Sequence, residues 1–481
     1  MSRNVYTRRE FLKAVGVTTA AAAVGSCTGS ARFPGKASAQ RPNFVIIFCD
    51  DLGYGDLGCF GSRKHRTPNV DRLAGEGMRL TSFYAAAVCT PSRASLMTGC
   101  YPLRVNMHQD HQGLCVLFPV SKKGLNPDEI TIAEILRSRG YATACIGKWH
   151  LGDQRPFLPR RQGFDYYYGI PYSNDMGAAQ GPHQPPLPLL RNEEVIEAPA
   201  DQDLLTSRYT DEAIRFIRAN KDRPFFLYLA HTMPHNPVHA GEAFRGKSKN
   251  GIYGDAVEEI DWSTGRLLAT LKALGLDGNT LVIFTSDNGA ASDFGGSNGP
   301  LRGFKGSTWE GGVRVPCIAR WPGRIPPRSA CDDVTSTMDL LVTFAYLAGT
   351  NAPTDRIIDG KNIWPLLSGR KDPTAGQRVF YYYQKDQLQA VRCGKWKLHL
   401  ELKPKKRHWG KPEPFSPLQL YDLEADIGET NNVAGQHPEV VARLTALAEK
   451  AREDIGDVGR AGAGQRPAGF VEHPKPLVMS K

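Results

Sequence analysis

The segment Val88-Cys89-Thr90-Pro91-Ser92-Arg93-Ala94-Ser95-Leu96-Met97-Thr98-Gly99 sets a thiol two residues before a proline and a cation two residues after it. Pro91 and Ser92 suit the first turn of a helix, whose free N–H groups favour an anion. Cys89 and Arg93 would then share a helix N-terminus; a buried thiol ahead of an ordinary surface helix is the other reading of the same residues. Elsewhere, apolar runs end in polar pairs. Residues 43–49 lead into Asp50-Asp51, and residues 280–286 into Asp287-Asn288. Adjacent carboxylates at the end of a buried strand are costly unless compensated. A solvated turn would compensate them, and so would a hard cation, which takes oxygen ligands. Residues 141–147 empty into Lys148-Trp149-His150, a cation and a titratable base two apart, on one face if the backbone stays extended. His231, His235 and His239 follow the apolar run 224–230 but lack the Cys or carboxylate spacing of a zinc site.

These polar ends need a scaffold, and the chain alternates accordingly. Strand-like runs at 43–49, 141–147, 224–230 and 280–286 are interspersed with helical patterns opening at Thr67 and covering 129–139, 205–219 and 253–274. Such alternation indicates an α/β sheet, with ligands bound beyond the strand C-termini. Residues 177–199 are proline-rich and read as an irregular surface excursion. After a polar linker at 369–377 come short strands at 379–384, 390–393, 396–402 and 418–423, then a helix at 437–455. That pattern is a small antiparallel sheet with one packed helix. The expected division is an export signal at 1–39, a catalytic domain at 40–375, an α+β subdomain at 376–456 and a flexible Gly- and Pro-rich tail at 457–481. No internal repeat is present.

With 481 residues, 41% hydrophobic and 23% charged, the composition is that of a globular protein. Thr7-Arg8-Arg9-Glu10-Phe11-Leu12-Lys13 before a mildly apolar run resembles a twin-arginine export signal. Its exit has two readings: Val24-Gly25-Ser26-Cys27 as a lipoprotein box, or cleavage after Ala37-Ser38-Ala39. Residues 1–39 hold six of the cations and one acid, so the net charge of +11 falls to +6 for the rest. That suits an anionic substrate, and without a basic stripe interleaved with aromatics it excludes nucleic acid as a partner. Lys403 to Lys411 reads as a solvated basic loop, with a glycan contact as the alternative. Ten cysteines include no CxxC pair; export permits disulfides, but spacing does not reveal pairing. Cys49 and Cys145 read as buried thiols.

CTPSRASLMTG resembles the modification signature of the sulfatases. DDLGYGDLG, GKWHLG, GIPYSND, the Pro-His-x-Pro around His235, TSDNG and GPLRGFKG agree with it at separated positions. The chain is thus similar to the formylglycine-dependent, arylsulfatase-like sulfatases of the alkaline phosphatase superfamily. The resemblance implies a large mixed, mostly parallel sheet sandwiched by helices, with a smaller C-terminal α+β domain. It implies that a formylglycine-generating enzyme oxidises Cys89 to formylglycine (3-oxoalanine), whose hydrate is the nucleophile. The metal ligands would be Asp50, Asp51, Asp287, Asn288 and an oxygen of the modified Cys89. An all-oxygen set favours Ca²⁺ over zinc and leaves Mg²⁺ open.

By the same resemblance, Asp287 takes the nucleophile's proton and attack leaves a covalent sulfate on the residue. His235, with Lys305, protonates the leaving alcohol. His150 deprotonates the remaining hydroxyl to expel sulfate. Arg93 and Lys148 brace the nucleophile and bind sulfate, and Ser173 lies beside it. On their own residue types, Arg302 and Glu310 read as an ion pair bracing the Lys305 loop. The expected substrate is a sulfate ester of a carbohydrate, in the periplasm or outside the cell. The twin-arginine translocase would be a partner, and a membrane only through a lipidated Cys27. His108, Asp110, His111 and residues 181–197 are candidates for the substrate rim. The rival readings are a phosphodiesterase or phosphonate hydrolase of the same superfamily, and a catalytically silent glycan-binding relative.

Overall fold

The structure is a computed structural model that describes residues 41–177, 185–370, 375–402 and 416–479. The export signal, Cys27 and the basic 403–411 loop lie outside the described residues. The central strand, Asn43–Cys49, is buried along its whole length. Its uninterrupted apolar run reflects cover on both faces. Phe44, Ile46 and Phe48 enter one core, with the helices Cys89–Thr98, Ile132–Ser138 and Asp339–Leu347. Val45, Ile47 and Cys49 enter the other, with Leu205–Ala219 and Gly251–Ala273. Side-chain alternation along the strand thus divides one apolar run between two helix layers.

The sheet runs Ser329–Cys331, Met78–Tyr84, Arg314–Arg320, Thr280–Ser286, Asn43–Cys49, Phe225–Ala230, Ala142–Gly147, Tyr166–Gly169, Leu189–Arg191, Glu194–Glu197. The four central strands, from Thr280–Ser286 to Ala142–Gly147, are mutually parallel. Arg314–Arg320 is antiparallel to both its neighbours. The sheet is therefore mixed and mostly parallel, with helices on both faces, as the sequence indicates. Beyond it, Val379–Gln384, Gln387–Cys393, Trp396–His399 and Gln419–Asp422 form an antiparallel sheet. Pro438–Asp454 covers it with Val440, Leu444, Ala448 and Ala451, a stripe at helical spacing.

Three expectations change. The helix read at 129–139 starts at Ile132, because the Thr131 hydroxyl accepts the Glu134 N–H while the Glu134 carboxylate accepts the Thr131 N–H at 3.0 Å. That capping box is worth about 1 kcal/mol and fixes the start. Within the excursion at 177–199, Leu189–Arg191 and Glu194–Glu197 form a hairpin on the sheet edge. Asn192 at φ +59° makes the tight turn, a position where asparagine is tolerated. The tail expected to be flexible is instead laid along the catalytic domain. Gly469–Phe470 pairs with Lys123–Gly124, the Arg466 N–H donates to the Arg104 carbonyl at 2.7 Å, and its guanidinium binds Glu129. Main-chain bonds and charge pairs hold it, so its Gly and Pro content was a poor guide. Among the described residues all nine cysteines are free, and no helix is long and apolar enough to cross a membrane.

Candidate active site

Parallel pairing brings the acids together. Asn43–Cys49 and Thr280–Ser286 align with Cys49 opposite Ser286, so Asp50 and Asp287 leave the sheet side by side. Asp51 bends back at φ +64°, and its N–H donates to Asp287 Oδ1 at 3.1 Å. An aspartate in the left-handed region is uncommon and tends to mark functional strain.

The helix Cys89–Thr98 points its first turn at this corner. Cys89 is its first residue and only 2% exposed. Ser92 Oγ donates to the Asp287 carbonyl and accepts the Ala86 N–H at 2.8 Å, tying the helix to the turn that carries Asp287. The fully buried Arg93 guanidinium donates to Asp287 Oδ2 at 2.9 Å and lies 3.6 Å from Asp50. It also donates to the Lys148 carbonyl at 3.0 Å. A buried cation is tolerable only with anionic and carbonyl partners of this kind.

Lys148 and His150 arrive through a bend, not along an extended face as expected. Gly147 sits at φ +113°, where any Cβ would lie 1.8 Å from the Ala230 carbonyl oxygen, and His150 is at φ +59°. Lys148 Nζ pairs with Asp50 and donates to Ser173 Oγ at 3.0 Å. His150 Nε2 faces the Leu117 carbonyl at 2.8 Å and must carry the ring proton there; Nδ1 has no partner and is left as a base. Burial, assisted by the Lys148 charge, pushes its pKa well below the usual histidine value.

His235 is poised in the opposite sense. Its Nδ1 faces the Asn236 carbonyl and its Nε2 lies 3.7 Å from Asp51. Burial and Lys305 lower its pKa, but Asp51 and Asp50 outweigh them and the net shift is upward. Lys305 Nζ is 2.8 Å from Asp51; burial opposes its charge, yet Asp51, Cys89 and Asp50 hold its pKa well above normal. Asp50 is likewise resisted by burial but kept well below the carboxylate range by Lys148, His235 and Arg93. Burial, reinforced by Asp50, pushes Asp287 up.

A cation fits this corner. Ligand atoms of Asp50, Asp51, Cys89 and His235 all lie within 4.8 Å of one another. Asp50 Oδ1 and Asn288 Oδ1 are buried without hydrogen-bond partners, an unfavourable arrangement that coordination would relieve. Asn288 Nδ2 donates to Asp51 Oδ1 at 2.7 Å, keeping it in the group. Above the corner opens a cleft of about 740 Å³ lined by Cys89, His150, Ser173, His235 and Lys305, among others.

The structure leaves other candidates out. His231 is buried beside Ser263, its pKa pushed down to about 3 by burial, and His239 pairs with Asp203 at 2.8 Å. His108, Asp110, His111 and residues 185–197 do not line the cleft, and 181–184 lie outside the described residues. Arg302 and Glu310 do not pair. Arg302 stacks on Trp309 and donates to the Glu429 carbonyl at 2.8 Å, while Glu310 turns to Lys397, Arg314 and Arg392. Sequence reasoning also missed Ser92 as a tie, although it stands inside the signature, and the aromatic residues Phe118, Phe294, Phe304 and Trp309 in the cleft. Single aromatic residues in loops give no local signal.

Comparison with known proteins accords with this geometry. The sulfatase family model matches residues 42–350, and a model of the C-terminal region of aryl-sulfatase matches 375–462. Human arylsulfatase A is 41% identical over 453 residues, 86% of this chain and 88% of that protein. Dog N-acetylgalactosamine-6-sulfatase is 41% identical over 378 residues, 75% of this chain and 72% of that protein. A Bacteroides thetaiotaomicron structure, solved in work on the metabolism of multiple glycosaminoglycans, superposes with a TM-score of 0.76 at 31% identity. It covers 86% of this chain and all of that one. With both lobes matched and identities near 40% along most of its length, the chain belongs to the sulfatase family and is a sulfuric ester hydrolase.

Proposed function

We propose that this sulfatase removes sulfate from carbohydrate, using a nucleophile made by oxidising Cys89 to formylglycine. The observation that carries the reading is Cys89 itself: the first residue of a buried helix, grouped with Asp50, Asp51 and His235 at the floor of an open cleft. Its Sγ stands where the hydroxyls of an aldehyde hydrate would be. A thiol has no second hydroxyl from which to expel sulfate, so oxidation is what allows repeated turnover. The similarity to an N-acetylgalactosamine-6-sulfatase and to a glycosaminoglycan-metabolism structure supports a sugar ester.

Asp50, Asp51, Asp287 and Asn288, with an oxygen at the Cys89 position, would hold Ca²⁺, or Mg²⁺ as the alternative. Such a cation would supply positive charge against the sulfate oxygens and favour ionisation of the nucleophile's hydroxyl. The chain's own groups do the rest. Asp287, held against the nucleophile's helix by Ser92 and Arg93, would accept the nucleophile's proton. Arg93 fixes the nucleophile's helix against Asp287 and Asp50. Lys148 and Ser173, bonded to each other, meet the sulfate. His235, whose pKa is shifted upward, and Lys305 would give a proton to the leaving oxygen. His150, neutral with Nδ1 bare, takes a proton in the second half of the reaction.

Processing and export have a natural order. Cys89 is too buried for another enzyme to reach in the folded chain, so a formylglycine-generating enzyme would act before folding finishes. The twin-arginine route carries folded protein, so oxidation, folding and export follow in that sequence. The destination is the periplasm or beyond, with anchoring only if Cys27 is lipidated.

The test combines the mass of the Cys89 peptide with sulfate release from a panel of defined sulfated sugars. Thiol-to-aldehyde conversion together with release from at least one sugar is expected. Fully converted protein that releases sulfate from none of the sugars would overturn the assignment.

A further inference from the structure

The cleft has two halves of different character. On its floor the cations are already engaged: Lys148 with Asp50 and Ser173, Lys305 with Asp51, and Arg93 with Asp287 beneath. Further out the lining turns aromatic. Phe294 is 46% exposed and Phe304 48%, and Phe118 and Trp309 contribute partly buried rings. One exposed phenylalanine means little. Two in one cleft, both in the loops between Asp287 and the helix Glu310–Val313, make a hydrated apolar wall beside the reacting centre.

Charge sharpens the point. Beyond Lys305 and the histidines, the charged side chains lining the cleft among the described residues are Asp175 and Asp293. Asp293 is exposed and adjoins Phe294. No lysine or arginine among the described lining residues remains to meet a second anion. A leaving group carrying another sulfate, or a carboxylate, would bring like charge against Asp293 with nothing described to offset it.

Resting on the reading of the floor as the sulfate site, we infer that the outer half receives an uncharged leaving group bearing a single sulfate. Its apolar face lies on Phe294 and Phe304, and Asp293 discriminates against a second anionic substituent. The C–H face of a pyranose and the face of an aryl or steroid ring share this chemistry. The aromatic pair supplies affinity through stacking and desolvation. The acid supplies selectivity by repulsion.

The test compares kcat/KM for a monosulfated N-acetylhexosamine, its disulfated counterpart and phenyl sulfate. Wild-type protein is set beside Phe294→Ala, Phe304→Ala and Asp293→Asn. Each phenylalanine variant is expected to lose about 5- to 20-fold on the sugar, on phenyl sulfate or on both, mainly through KM. Inhibition by inorganic sulfate, which fills the floor alone, should stay within about 2-fold of wild type. Loss confined to the sugar identifies a pyranose; loss confined to phenyl sulfate identifies an aryl or steroid ring. The monosulfated sugar should outrun the disulfated one, and Asp293→Asn should narrow that ratio by about 10-fold. Unchanged kcat/KM in both phenylalanine variants, or a wild-type preference for the disulfated sugar, overturns the inference and leaves the sulfatase floor intact. No turnover of any ester by converted wild-type protein overturns the floor assignment, and the inference with it.

Discussion

Lys397, in the C-terminal sheet, holds its ammonium 2.9 Å from a carboxylate oxygen of Glu310, at the end of the loop that carries Lys305. Both side chains are wholly buried. The same ammonium donates to the Thr308 carbonyl and pairs with Glu429, each at 2.8 Å. Glu429 in turn accepts the Glu310 N–H at 2.7 Å, and Trp309 stacks on His399 with ring centroids 4.1 Å apart. One face of the loop that carries Lys305 is thus built by the smaller lobe. Burial opposes the charge on Glu310, but Lys397, Arg392 and Arg314 outweigh it and hold its pKa far down.

Removing that ammonium takes a buried cationic partner from two carboxylates, leaving Glu310 to Arg314 and Arg392 and Glu429 to His399. Lys397→Met is expected to cost about 3–5 kcal/mol in urea unfolding. Adding Glu310→Gln, which removes one of the two under-compensated charges, should recover part of the loss. A single-variant loss below about 1 kcal/mol would show that the pair is not a structural tie.

Cys89→Ala deletes the proposed nucleophile and little packing. Turnover should vanish while the unfolding midpoint stays near wild type, because the helix is anchored by Ser92 and Arg93 rather than by sulfur. Sulfate release by this variant at an undiminished rate would refute the mechanism.

The two histidines should fail differently from the metal corner. His150→Ala and His235→Ala are each expected to lower kcat by on the order of 10²–10⁴. Neither should abolish binding of inorganic sulfate. Single-turnover assays separate them: loss of His235 slows release of the alcohol, and loss of His150 slows release of sulfate.

Cation binding should be visible without catalysis. In Cys89→Ala protein, Ca²⁺ at about 100 times its dissociation constant should stabilise the fold by about 2.7 kcal/mol. Asp51→Asn should weaken that shift. A melting midpoint indifferent to Ca²⁺ and Mg²⁺ alike would remove the metal from the site.

Glu259 offers a pH test away from the chemistry. Burial pushes its pKa from the usual 4.5 up to about 7, although the Gly241 N–H donates to it at 2.9 Å. Between those values the folded chain keeps a proton that the unfolded chain has released. The contribution is therefore full below about pH 4.5 and is lost as pH rises toward 7. Glu259→Gln, which cannot titrate, should flatten this fall in stability across that window.

The acid pairs and the Cys89 helix were readable because an apolar strand that stops at Asp50-Asp51 or Asp287-Asn288 has few ways to satisfy its end. His150 lines the cleft, but strand alternation does not put it there, since a left-handed backbone aims it. The partners of Glu310 were unreadable: Lys397 and Glu429 lie 87 and 119 residues away, and nothing local requires them. The tail misled because its ties are main-chain bonds and arginine contacts, which composition does not register.

The pairing of Cys49 with Ser286 carries one more consequence. A cation held by Asp50, Asp51 and Asp287 would rivet two neighbouring strands at their outflow ends. A slip of one residue between them would reverse the facing of every side chain on the moving strand and pull the rivet apart. Affinity for the ion would then act as a vernier for the alignment of the central sheet. Damage far down either strand, too slight to unfold the chain, would register first as a loosened grip on the metal.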